Sequence, residues 1–341
     1  MKAKERSLVF CLFLAFGVLF LFNASNVRAA AIELSYANFF PPTHIQAKLG
    51  ESWAQEIEKR TNGKVKITYY PGGALLKGPK VYGGVLKGIA DIGMSVFAYS
   101  RGVFPSMEAI DLPMGYPDGK AATSIINEFY NKFKSKDLSK VKVMYLHAHG
   151  PGLLHSKKAV NKMEDLKGLK IRSTGFCAKV VEALGGVPVA MGQGGTYESL
   201  QKGVVDATFS PIEVLKGWKQ AEVIKYTTEC YSIGYTAGFY VLMNLAKWNS
   251  LPKDIQTVIE EVNKEWIAKH GKAWDDSDKA GREFTLSKGN KIIPLSKEES
   301  ARWAKAAQPV IDGYVNKKKE MGLPSKDYVD FIRTAVTNYG K

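Results

Sequence analysis

Apolar positions along the chain recur with two periods, and the switches between them outline an alternation of strands and helices. Ala31–Tyr36 alternates as a half-buried strand does, and Val65–Tyr70 repeats the pattern with β-branched residues. Between them His44–Arg60 places Ile45, Leu49, Trp53 and Ile57 on one helical face, and Asn62-Gly63 turns the chain into the second strand. The pattern then predicts a helix over Lys80–Gly88, a short buried strand over Ala90–Met94, a helix over Ala121–Phe133 and a strand over Val141–His147. Leu169–Arg172, Cys177–Leu184 and Val187–Ala190 read as strand, helix and strand. Such alternation predicts an α/β protein with mainly parallel sheets. From Pro252 the pattern changes: Ile255, Val258, Ile259, Val262, Trp266, Ala273 and Trp274 keep a helical period for more than 20 residues. A helix that long either pairs as a coiled coil or braces two packed lobes, and the alternation upstream favours the brace.

Length and charge narrow the picture. A chain of 341 residues is long enough for two domains. Its basic start, Met1–Arg6, precedes fifteen apolar residues from Leu8 to Phe22. As a helix that run spans about 22 Å, short of the roughly 30 Å core of a bilayer. Val27-Arg28-Ala29 then supplies the small residues of a cleavage site. Residues 1–29 therefore read as a secretory signal, with an uncleaved membrane anchor as the alternative. The whole chain has 48 basic and 33 acidic residues; without this segment 44 and 32 remain. The expected product is an exported protein, working as a monomer outside the cytoplasm. Its positive excess suits an anionic small molecule or a negatively charged membrane neighbour, and nucleic acid is not expected as a partner.

Catalytic signatures are missing. There is no G-x-x-x-x-G-K-[ST], no G-x-G-x-x-G after a strand, no H-E-x-x-H and no G-x-S-x-G. Gly192-Gln193-Gly194-Gly195 could cradle a phosphate or simply close a loop. His147 and His149, two apart, would share one face of a strand, a spacing that zinc sites use. Without a third ligand they read instead as residues lining a polar cleft, and no metal or cofactor is expected. Cys177 and Cys230 could pair in an oxidising compartment, but spacing does not decide it.

Several segments, in order, resemble the substrate-binding subunits of tripartite ATP-independent periplasmic (TRAP) transporters. They are Glu56-Ile-Glu-Lys-Arg-Thr-Asn-Gly-Lys-Val65, Tyr70-Pro-Gly-Gly-Ala-Leu75, Gly88-Ile-Ala-Asp-Ile-Gly-Met94 and Glu164-Asp-Leu-Lys-Gly-Leu-Lys-Ile-Arg172. Ala183-Leu-Gly-Gly-Val-Pro-Val-Ala-Met191, Tyr197-Glu-Ser-Leu-Gln-Lys-Gly-Val-Val-Asp206 and Trp248-Asn-Ser-Leu-Pro-Lys-Asp254 follow. The resemblance implies a two-lobed periplasmic-binding-protein-like α/β fold, with crossing strands and a long helix spanning both lobes. It places lobe one at residues 30–146 plus 236–275 and lobe two at 147–235 plus 276–341. It further implies a non-enzymatic receptor that closes on a small organic carboxylate and delivers it to TRAP permease subunits in the membrane.

By the same resemblance Arg172, in the K-[IL]-R motif, holds the ligand carboxylate. The physics agrees, because ligands of open α/β sheets sit beyond strand C-termini and a guanidinium forks onto a carboxylate. Gln193, Ser210, Ser95 and Tyr99 are matched to ligand contacts, and Phe39, His149, Thr174 and Glu213 complete the expected set. One departure stands out. Many relatives carry a second arginine in the crossing strand, where this chain reads His147-Ala-His-Gly-Pro-Gly-Leu-Leu-His-Ser156. Its absence disfavours dicarboxylates. Phe39, Phe40, Phe97, Tyr99 and Phe209 could sandwich a flat ring, so a monocarboxylate with an aromatic, heterocyclic or apolar body is expected. A secreted metal-dependent hydrolase using His147 and His149, and a ligand sensor for a receptor kinase, are the competing readings.

Overall fold

The computed structural model describes residues 30–340; the expected secretory signal lies outside the described residues. In chain order the first elements are β1 (Ile32–Asn38), α1 (Ile45–Arg60), β2 (Val65–Tyr70), α2 (Val81–Leu86), β3 (Ile92–Val96), α3 (Gly119–Phe133) and β4 (Val141–Ala148). Then come β5 (Gly152–Ser156), β6 (Lys170–Ser173), α4 (Cys177–Ala183), β7 (Val187–Ala190), α5 (Thr196–Gln201), β8 (Ala207–Pro211), α6 (Val214–Gly217) and β9 (Tyr226–Glu229). The chain ends with β10 (Gly238–Asn244), α7 (Leu245–Asn249), α8 (Lys253–Ser287), β11 (Lys291–Pro294), α9 (Lys297–Glu320) and α10 (Ser325–Tyr339). Local chemistry sets the ends. Asp118 caps α3 by accepting from the Ala121 amide at 2.6 Å, and Lys134 closes it in a left-handed conformation.

Two sheets form, one per lobe. The first runs β2-β1-β3-β10-β4 and the second β11-β9-β5-β8-β6-β7. The chain passes from the first to the second after Ala148, returns after Glu229, and passes a third time along α8. Both sheets are mixed, which corrects the expectation of mainly parallel ones. The returning β10 inserts between β3 and β4 and is antiparallel to both; β5 is antiparallel to β8 and β9. A strand that crosses between lobes enters its new sheet at the edge facing the other lobe, where the neighbouring strands end, so it runs against them.

The long helix is a brace, as expected, at 35 residues or about 52 Å. It packs on α1, α3 and β4 of the first lobe and on α6 and β11 of the second. Trp53 Nε1 donates to Asn263 at 3.0 Å and Trp266 Nε1 to the Leu49 carbonyl at 2.8 Å, so the indoles that bury apolar area also fix the register of α1 against α8. Gly281 lets α8 approach the second lobe, because a Cβ there would meet the Ile212 carbonyl at 2.3 Å.

The expected lobe boundaries differ from the packing at two points. His147 and Ala148 still pair with Phe239 and Gly238, so the first sheet extends past residue 146. The C-terminal segment does not stay with the second sheet. α9 packs on α4, but α10 returns to α3, where Tyr328 meets Phe129 at 5.1 Å and Phe133 at 4.7 Å. The apolar face of α10, with Tyr328, Val329 and Ile332 buried, finds its cover there.

Candidate functional site

A cavity with about 420 Å³ of empty space, part of it open to solvent, lies between the two sheets. Arg172 forms its floor. It stands near the C-terminal end of β6, between β7 and β8, and is 4% exposed. Its Nε donates to the Met191 carbonyl and its Nη1 to Ser210 Oγ, each at 3.1 Å. Of the five N–H bonds of a guanidinium, three are left for a ligand. No carboxylate pairs with it among the described residues. A buried cation without a counter-ion is costly, and an anion placed against it removes that cost.

Donors converge around this cation. Gln193 follows β7; its backbone amide donates to Tyr99 Oη at 2.8 Å, tying the two lobes together, and its side-chain Nε2 is buried without a partner among the described residues. Burial pushes the Tyr99 hydroxyl above its ordinary pKa, opposed by Arg172 and the Gln193 amide, so Tyr99 stays a neutral donor. Ser210 Oγ also lies 3.0 Å from Thr208 Oγ1. Behind it, His155 is fixed between the Thr227 hydroxyl (2.9 Å) and the Ser210 carbonyl (3.0 Å), with burial lowering its pKa to about 4. His155 thus orients the strand that presents Ser210.

The rest of the wall is aromatic. Phe39, Phe40, Tyr99, Trp218, Tyr235, Phe239 and Trp274 line the cavity with Val96, Val214 and Ala237. Phe39 and Phe239 are nearly parallel, 8° apart with centroids 6.4 Å apart. The column continues behind Phe239 with His147 at 4.9 Å and His270 a further 4.3 Å on, again within 9° of parallel. The widest gap in this stack of four rings is the one at the cavity.

Of the nine expected contact residues, Arg172, Gln193, Ser210, Tyr99, Phe39, His149, Thr174 and Glu213 line the cavity. Ser95 does not. Its Oγ donates to the Gly78 carbonyl at 2.9 Å, because strand alternation turns Ser95 away and presents Val96. Phe97 and Phe209 are also core residues, packed on Phe104 (5.0 Å) and Tyr235 (5.6 Å). His149 lines the cavity with its ring only. Nε2 accepts from the Ala237 amide at 3.0 Å, so Nδ1–H donates to the Gly150 carbonyl and neither nitrogen is left for a ligand. Burial, then Arg172, hold its pKa near 4, so it is neutral and does not titrate near pH 7. His147 faces elsewhere, accepting from Trp274 Nε1 at 3.0 Å, and no group of three metal-ligating side chains occurs among the described residues. Cys177 and Cys230 are both free and buried.

Glu213 does not face the cavity as a free charge. His44 caps α1 by accepting from the Gln46 amide at Nδ1, so its proton sits on Nε2 and is donated to Glu213 Oε2 at 2.9 Å. Both residues are 3% exposed, one on each lobe. Gly217 makes room: a Cβ there would lie 2.5 Å from Glu213 Oε2 and 2.7 Å from His44 Nε2. Sequence reasoning missed this pair, and also Trp218, Phe239 and Trp274. Trp274 carried a signal, but the helical period marked it only as a core position.

Known proteins resemble this chain in sequence and in fold. The family model of bacterial extracellular solute-binding protein, family 7, matches residues 36–318. The C4-dicarboxylate-binding periplasmic protein DctP of Rhodobacter capsulatus is 27% identical, over 83% of this chain and 86% of its own. A TRAP periplasmic solute-binding protein from Desulfovibrio salexigens is 34% identical and superposes with a TM-score of 0.80, covering 91% of this chain and 97% of its own. A marine metagenome TRAP protein specific for aromatic acid ligands, solved with 3-hydroxybenzoate, is 28% identical with a TM-score of 0.86, covering 92% and 100%.

Proposed function

This chain belongs to the bacterial extracellular solute-binding proteins of family 7 and is the substrate-binding subunit of a TRAP transporter, not an enzyme; from that premise we propose that its ligand is a monocarboxylate with a flat aromatic body. Arg172 carries the reading: it is a buried guanidinium with three free N–H bonds and no carboxylate partner among the described residues. Its fork takes the ligand carboxylate bidentately, with Tyr99 Oη and Gln193 Nε2 as further donors. Apart from Thr174, His149 and Glu213, the rest of the lining is apolar or aromatic. The pair of Phe39 and Phe239 supports a ring in particular. Phe39 and Phe239 are nearly parallel with centroids 6.4 Å apart, and Phe40 lies 4.4 Å from the first and 5.7 Å from the second, so a flat ring packs against the faces this group presents to the cavity.

Dicarboxylates fit less well. Among the described residues lining the cavity, Arg172 is the one permanent cation, and a second carboxylate would face rings or the Glu213 carboxylate. The aromatic acid held by the marine metagenome relative supports the preference; the dicarboxylate in the name of the Rhodobacter relative is the alternative. In this reading the protein is exported by residues 1–29 with cleavage after Ala29. It closes as a monomer about the links at residues 149–151 and 230–237 and hands its ligand to TRAP permease subunits.

Calorimetry with benzoate, phenylacetate, a branched aliphatic monocarboxylate and succinate tests this. The aromatic acids are expected to bind tightest, and at 100 times Kd to stabilise the fold by about 2.7 kcal/mol. Tighter binding of succinate than of every aromatic acid would overturn it.

A further inference from the structure

The second sheet has two edges across its strands. One carries Arg172 and Ser210 at the cavity; the other, where β6, β8, β9 and β11 begin and β5 ends, faces away from it. That far edge is a row of lysines. Lys291 donates its amide to the Lys225 carbonyl (2.9 Å), and Lys225 donates to Ser156 (3.1 Å), next to Lys157 and Lys158. Lys157 donates to Asp206 (3.1 Å), and Asp206 donates to Lys170 (2.8 Å). Lys167 shares a shallow recess with Lys157, Lys158 and Asp206. Lys170 and Lys291 thus begin β6 and β11, and the other four lysines flank the ends of β5, β6 and β9 on the same edge, where neighbouring strands are about 4.8 Å apart. All but the half-buried Lys157 are exposed.

These cations lack acidic partners. None of the six forms an ion pair among the described residues. Of the acids nearby, Asp206 shares the recess of Lys157, Lys158 and Lys167 without pairing with any of them, its Oδ2 accepting from the Lys170 amide at 2.9 Å, and Glu164 pairs with Arg302. The matching edge of the first sheet is built differently, for there Lys142 pairs with Glu260 and Lys247 lies 3.9 Å from Asp91. The far edge of the second sheet also exposes apolar surface. Val187, paired with Lys170 across β6 and β7, is 46% exposed, and Val204 in the turn before β8 is 51% exposed.

We infer that this edge docks the exported protein on an anionic phospholipid surface, a role beyond ligand capture. Unneutralised lysines flanked by exposed valines match the two layers of a membrane interface, phosphate headgroups above and acyl boundary below. The position disfavours the permease as occupant, since ligand leaves from the opposite edge. Docking here confines the receptor to the membrane plane while its cavity stays open to solute.

Co-sedimentation of the exported protein with lipid vesicles tests the inference. Phosphatidylcholine vesicles with and without roughly one-third phosphatidylglycerol are compared at low salt and at about 0.5 M salt, where the Debye length falls to about 4 Å. Binding is expected only to the anionic vesicles, with release by salt. Each lysine removed is expected to lower partitioning about fivefold, so a variant with Lys158, Lys167, Lys170, Lys225 and Lys291 all changed to Gln loses it by more than about a hundredfold. A charge-matched control replaces the exposed Lys48, Lys66, Lys264, Lys305 and Lys317 with Gln and is expected to stay within about fivefold of wild type. Thermal unfolding confirms that both variants fold. No binding to anionic vesicles overturns the inference, as does equal loss in the control, which would make the attraction one of net charge. Retained binding by the edge variant, as capture by a different surface, also overturns it.

Discussion

Removing the Arg172 guanidinium should abolish tight ligand binding while leaving a folded protein. The site fixes the size of the effect. Arg172 is 4% exposed and held at two of its five N–H bonds, so it meets a ligand carboxylate already oriented and already stripped of water. Truncating one member of such a buried, hydrogen-bonded charge pair costs about 2–5 kcal/mol, much of it from stranding the other charge. At about 1.4 kcal/mol per factor of ten, Arg172→Ala weakens binding by at least about thirtyfold. Arg172→Lys keeps the charge but cannot reach the Met191 carbonyl, Ser210 and a ligand together, so it falls between the two. Calorimetry measures Kd for wild type and both variants with the best aromatic acid, and circular dichroism monitors folding. The unfolded and folded states differ in another way: the lone buried cation disfavours the ligand-free fold, so Arg172→Ala should gain back part of what it loses in hydrogen bonds to Met191 and Ser210. A folded Arg172→Ala protein binding within about threefold of wild type, under the one kcal/mol mark, would remove Arg172 from the site.

Further outcomes follow from the same structure. The His44–Glu213 pair joins the lobes only when they are close, so His44→Ala should raise the ligand dissociation rate by about tenfold or more, and Gly217→Ala should do the same by pushing a Cβ into the pair; stopped-flow dissociation at the wild-type rate in both variants would show that the pair does not latch closure. Burial, with the Gly238 amide opposing, raises the Asp111 carboxyl to about 8 against about 3.9 unfolded. The folded state therefore holds a proton that the unfolded state has lost, and stability falls as pH rises from about 4 to about 8. Asp111→Asn should be more stable than wild type at pH 8 by a few kcal/mol, with the gap closing near pH 4; denaturant melts showing the same gap at both pH values would refute this. His149, neutral above about 4, should leave ligand affinity unchanged between pH 6 and 8, and a titration in affinity that disappears in His149→Gln would contradict its assignment.

Much of the fold was legible because local rules agreed with the tertiary outcome. The limits of Val65–Tyr70 and Val187–Ala190 are legible in the sequence, since alternation or flanking turns mark both ends. The helix from Lys253 was legible because a single apolar stripe ran without interruption. Strands that cross between the lobes were not. β10, Gly238–Asn244, is buried on both faces except at its last residue, so it shows no alternation to distinguish it from a buried helix turn. Its insertion between β3 and β4 depends on contacts 90 or more residues away in the chain.

The sequence by itself determined the chemistry of the floor of the site: one arginine at a strand end, a glutamine after the next strand and no second arginine in the crossing stretch. Side-chain type and strand position carry that information, and folding does not change it. Only the tertiary structure decided what each group is free to do. His149, Glu213 and Ser95 all offer polar atoms in the sequence, but His149 spends its nitrogens on Ala237 and Gly150, Glu213 its carboxylate on His44, and Ser95 its hydroxyl on Gly78. Hydrogen-bond valence is finite, and buried groups use it on whichever partners the fold brings near. The ring column from Phe39 to His270 likewise gathers residues from β1, β10, β4 and α8, and no local pattern in any one of them encodes the gap they leave.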